Sequence, residues 1–108
     1  MIYSLEQIRE KIIPAARKYE LANVFLFGSY SRNEAREDSD IDLLIDRTGS
    51  KIKSLFDLGE LYNLLGDSLN KQIDIVTTSS LADADKTNSI ITLKDNIQKE
   101  RISLYEKQ

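Results

Sequence analysis

The sequence contains no cysteine and no histidine. Those absences exclude a structural zinc site, thiol chemistry, a Ser-His-Asp triad and any histidine acid or base, so chemistry must fall to Asp, Glu, Lys, Arg, Ser, Thr or Tyr, with or without a hard metal. Proline occurs once and glycine four times, and no Gly/Pro-rich linker, low-complexity tract or internal repeat divides the chain. There is no run of about 18 apolar residues, the length a membrane span needs. The opening MIYSLEQIRE lacks a basic stretch followed by an apolar one, so the cytoplasm is the expected location. Basic charge is also short, with 15 Lys and Arg against 18 Asp and Glu and a formal charge of −3. A tight, non-specific nucleic-acid binder needs a basic face to release phosphate counterions, and this balance argues against one while leaving room for a local basic pocket.

What is present is an ordinary globular composition, 41% hydrophobic and 31% charged over 108 residues. That is material for one core, so residues 1–108 are expected to form a single domain rather than two domains with a lid. Ser4 followed by Gln7 has the form of a capping box, and Leu5, Ile8, Ile12 and Ala16 recur near helical spacing, predicting a helix over roughly 4–20 with a bend at Pro14. Val24 to Phe27 is a short apolar run, predicting a buried strand that ends at Gly28-Ser29. Residues 31–37 are polar and are expected to make one or two helical turns. Ile41 to Ile45 predicts a second strand, and the leucines at 55, 58, 61, 64 and 65 predict a helix that Gly66 would end. Gln72 to Val76 predicts a third strand, Ile90 to Ile97 a last helix, and Ile102 to Tyr105 either its end or a short edge strand. The order αβαβαβα implies an α/β (α+β) fold with a mixed sheet: strands 41–45 and 72–76 parallel through a right-handed crossover, and the first two strands antiparallel.

Side chains alternate across a strand, so Asp40, Asp42 and Leu44 point one way while Ile41, Leu43 and Ile45 point the other. Asp74 opposes Ile73 and Ile75 in the same manner. With the two strands parallel and about 4.8 Å apart, Asp74 comes beside the Asp40/Asp42 pair. Three such carboxylates repel one another unless a cation sits among them, and oxygen-only ligands suit Mg²⁺ or Mn²⁺. Asp38 is explained as a turn residue. An EF-hand loop is excluded because Leu43 and Gly49 stand where such a loop needs Gly and Glu.

A strand, Gly28-Ser29 and then a short helix would let backbone N–H groups approach an anion. No Gly-Lys-Ser/Thr follows, so this is not a Walker A loop. The informative feature is the distance, Gly28-Ser29, ten residues, then Asp40-x-Asp42. By residue usage a chance match in a chain of this size is on the order of 1 in 1,000. Arg32 is a candidate for a bidentate phosphate contact, or else a solvated arginine. Tyr30, beside the cradle, could stack on a base, whereas Tyr3, Tyr19 and Tyr62 are assigned to the core or an interface.

These segments, Phe27-Gly28-Ser29-Tyr30-Ser31-Arg32 and Asp38-Ser39-Asp40-Ile41-Asp42-Leu43, resemble the nucleotidyltransferase superfamily of the DNA polymerase β type, and the short chain resembles its minimal nucleotidyltransferase (MNT) family. The resemblance implies that Asp40 and Asp42 hold two Mg²⁺ ions, that Asp74 ligates the catalytic ion and helps deprotonate the incoming hydroxyl, and that Gly28 and Ser29 hold the β and γ phosphates. It further implies an antitoxin that pairs with a HEPN-domain toxin and moves AMP from ATP to a tyrosine of that partner. Alternatives from other classes are a binding module that blocks its partner by contact alone, an antibiotic-modifying (aminoglycoside-type) nucleotidyltransferase, and, least favoured by the acidic charge, a polymerase.

Overall fold

The computed structural model describes residues 2–83 and 97–107. Helix α1 (Leu5–Lys18) begins at the expected capping box: Ser4 Oγ accepts from Gln7 N at 3.2 Å and Ser4 N donates to Gln7 Oε1 at 2.8 Å. The helix runs through Pro14 as one element. Pro14 and Glu10 are both exposed, so the carbonyl that loses its donor faces water. The opposite stripe, Ile8, Ile12, Ala15 and Ala16, is buried. The chain then reverses at Glu20, in the left-handed region at φ 54°, and enters strand β1 (Asn23–Phe27).

Strand β2 (Ile41–Asp46) lies antiparallel to β1, and helix α2 (Leu55–Leu69) carries the chain across to β3 (Ile73–Thr77), which is parallel to β2. After a short helix α3 (Thr78–Asp83), strand β4 (Ile102–Glu106) returns antiparallel to β1, giving the sheet order β3-β2-β1-β4. This is the mixed sheet expected from the element order, and the tail that could have been helix or strand is an edge strand. The main core lies on one face, where Val24, Leu26, Ile41, Leu43, Ile45 and Ile73 pack with the buried stripes of α1 and α2. A smaller cluster of Phe27, Leu44 and Ile97 marks the other face. Among the described residues no helix is long and apolar enough to cross a membrane.

Three local expectations need correction. Helix α2 does not stop at Gly66 but continues to Leu69 and ends at Asn70, whose φ of 50° and ψ of 43° are left-handed. Burial of Leu61, Leu65 and Leu69 rewards the extra turn, and Asn tolerates the left-handed cap nearly as glycine does. Residues 31–37 form no helix. Gly28 O accepts from Ser31 N and Arg32 N, and Ser29 O accepts from Glu34 N, but Asn33 at φ 58° breaks the helical path. Helix α3 was not expected; Thr77 Oγ1 accepts from Ser80 N at 3.3 Å, a side-chain cap at its start. The expected helix over 90–97 lies outside the described residues except Ile97, which opens a helical turn at 97–100.

Candidate active site

The pairing register builds the site. Phe27 of β1 stands opposite Asp42 of β2, and Asp42 stands opposite Asp74 of β3, so one row across the sheet ends in two adjacent carboxylates. Asp42 and Asp74 share the face opposite α1 and α2, because their neighbours Ile41, Leu43, Ile73 and Ile75 all pack with the main core. Asp40 lies one step before β2 on that same alternation and is exposed, as is Asp74, whereas Asp42 is partly buried. The site is therefore shallow at its rim and closed at Asp42.

Burial pushes the Asp42 carboxyl from its ordinary 3.8 up to about 6; the charge of Asp74 and a hydrogen bond with it, then the charge of Asp40, add to the rise, and Arg32 opposes it. Among the described residues no group of three or more acidic side chains is arranged so that it could hold a metal ion. The donor set is nevertheless the right chemistry for a hard cation, since Asp42 and Asp74 stand side by side on adjacent strands with oxygen only, and a divalent ion would offset the repulsion between them. Asp40 stands at the edge of that pair.

Gly28 follows β1 directly and adopts φ +74°. The space where its Cβ would project is filled by the Asp42 carboxylate, with Oδ2 nearest and Cγ at 3.0 Å. Its missing side chain thus makes room for Asp42, whereas from sequence the room was expected to serve an anion. Ser29 is partly buried at the start of the turns, and Ser31 Oγ donates to Gly28 O at 2.7 Å, fixing the carbonyl at the corner. Arg32 reaches out from these turns, its Nε donating to Glu34 Oε2 at 3.1 Å and its NH1 to Glu100 Oε2 at 2.9 Å.

Tyr30 does not lie at the site. It is 6% exposed and packs in the main core, with Lys71 Nζ 5.9 Å from its ring centroid, because the turn after Gly28 directs it back under the sheet. Base stacking by Tyr30 is thereby excluded. The sequence also gave no sign of the C-terminal contribution: Ile97 is wholly buried beside Phe27 and Leu44, Glu100 pairs with Arg32, and Arg101 lies 4.6 Å from the Phe25 ring centroid. Contacts spanning about 70 positions leave no local pattern to read.

Comparison with known proteins gives the family and the fold. The chain is 40% identical over 83 residues to Protein adenylyltransferase MntA of Thermococcus cleftensis, covering 72% of this chain and 81% of that one. The fold superposes on a toxin-antitoxin protein solved with AMP-PNP at a TM-score of 0.66 and 23% identity, over 93% of this chain and 74% of that one. It likewise superposes on a chain from the complex of a tri-AMPylated Shewanella oneidensis HEPN toxin with an MNT antitoxin, at a TM-score of 0.63 and 21% identity, over 94% and 72% of the two chains. Residues 10–108 match the polymerase beta nucleotidyltransferase family, a span that includes Gly28-Ser29, Asp40-x-Asp42 and Asp74; the chain belongs to this nucleotidyltransferase family.

Proposed function

We propose that this chain, acting as a single nucleotidyltransferase domain, moves AMP from ATP to a hydroxyl of a partner protein, a tyrosine of a HEPN toxin, and so serves as the antitoxin of the pair. The observation that carries the proposal is the pairing of Asp42, packed against Gly28, with the exposed Asp74. Its relatives support the acceptor class, since one is named a protein adenylyltransferase and another lies in a complex with an AMPylated HEPN toxin.

Asp40, Asp42 and Asp74 would hold two Mg²⁺ ions, whose chemistry is to neutralise the triphosphate and acidify the attacking hydroxyl. The chain's own groups do the rest. Ser29 and the backbone of the turns that follow Gly28 bind the β and γ phosphates, and Arg32 supplies a guanidinium to the same end of the nucleotide. Asp74, exposed and next to Asp42, accepts the hydroxyl proton as the oxygen attacks the α phosphorus. The bond to the bridging oxygen breaks, and pyrophosphate leaves. The shallow rim at Asp40 and Asp74 leaves the second wall of the cleft to the partner, which brings the acceptor with it.

The test is incubation with ATP labelled on the α phosphate, Mg²⁺ and the HEPN partner. Label on a partner tyrosine is the expected result. A tight complex that stays unlabelled would establish the alternative, a module that neutralises by contact alone.

A further inference from the structure

Two carboxylates already occupy the guanidinium of Arg32. Glu34 binds Nε and Glu100 binds NH1, the kind of oxygens a phosphate would present to the same fork, while NH2 is engaged by neither. Glu34 sits two residues away and travels with Arg32. Glu100 does not: it arrives from 68 positions along the chain, on the helical turn 97–100. That turn is anchored on the sheet independently of Arg32, by Ile97 buried against Phe27 and Leu44 and by Arg101 over the Phe25 ring. The same face carries Asp42, and the Arg32 charge reaches it.

We propose that Glu100 is a built-in competitor for the nucleotide: it occupies Arg32 in the nucleotide-free protein and gives it up to the β and γ phosphates of a triphosphate, so that it sets the affinity threshold for ATP. The inference rests on the nucleotide site described under the proposed function. The exchange is feasible because the pair is weak, with the Arg32 side chain 42% exposed and that of Glu100 24%. A terminal phosphate brings more charge than a carboxylate and accepts from the fork bidentately. Nucleoside monophosphates lack the groups that win this contest, which makes Glu100 a specificity-determining residue that acts through Arg32.

The test is calorimetric titration of the whole chain with Mg-ATP and with AMP, in wild type, Glu100→Gln, Arg32→Gln and the double variant. Glu100→Gln is expected to tighten ATP binding about two- to fivefold, the range an exposed ion pair supports, and to leave AMP unchanged. In the Arg32→Gln background the same change should have no effect. A merely structural Glu100 would instead weaken binding of both nucleotides whether or not Arg32 is present. Unchanged or weaker ATP binding in Glu100→Gln, or tightening that persists without Arg32, overturns the inference while wild-type ATP binding leaves the site itself standing. Failure of the wild type to bind ATP overturns both.

Discussion

The Asp42 carboxylate fills the volume that a side chain on Gly28 would need, its Cγ lying 3.0 Å from where a Cβ would stand. The two residues are thus one unit, a left-handed corner on β1 and an acid on β2 that can pack only because the corner is bare. Gly28→Ala meets both a collision and a φ of +74°, a conformation side chains adopt at a penalty. We expect a loss of about 1–3 kcal/mol in denaturant-induced unfolding, together with loss of nucleotide transfer as Asp42 is displaced. A variant with wild-type stability and activity would contradict this coupling.

Asp42 also makes the metal-free protein sensitive to acid in an unusual direction. Because its folded-state value is raised from 3.8 to about 6, the folded chain binds the proton more tightly than the unfolded chain between those values. Stability from this group therefore falls as pH rises through the window and is lowest above about 6. Discounted for solvent screening, the difference amounts to about 1–2 kcal/mol. Asp42→Asn should be more stable than wild type at pH 7 without metal, the gap should close toward pH 4, and Mg²⁺ should stabilise only the wild type. Thermal melts across pH, with and without Mg²⁺, measure all three.

Asp74 is exposed at the rim beside Asp42, and under the proposed mechanism it takes the proton from the attacking hydroxyl. Replacing it with Asn should lower the transfer rate by about 10²–10⁴-fold while ATP affinity changes only a few-fold. Single-turnover transfer and equilibrium binding separate these effects. Equal losses in both would assign Asp74 to binding instead.

Ile97 is completely buried on the sheet face that carries the acids, against Phe27 and Leu44. Ile97→Ala should cost about 2–4 kcal/mol in urea unfolding. It should also loosen the turn that bears Glu100, which heteronuclear NMR relaxation would show as new motion at residues 97–101.

Strand periodicity makes the acid face legible in the sequence, because alternation over only five or six residues fixes which side Asp42 and Asp74 take. The antiparallel and parallel neighbours followed from the lengths and polarity of the connections. Helix ends were harder: Gly66 looked like a stop, yet burying Leu69 outweighed it and Asn70 served as the cap. Tyr30 departs from the sequence reading because its neighbours in sequence are candidate site residues while its neighbours in space are core residues. The Glu100–Arg32 contact lies beyond any local pattern, since it depends on how the last strand brings the chain back across the sheet.

The direct opposition of Asp42 and Asp74 across β2 and β3 also bears on how such a chain tolerates length changes. An insertion at the exposed Thr48-Gly49 of the turn after β2 leaves this register untouched. A single residue gained or lost between Gln72 and Asp74 would instead swing the acid through the sheet into the leucine-lined side and bring Ile73 or Ile75 out in its place. Strand β3 behaves as a ruler whose first marks cannot slide.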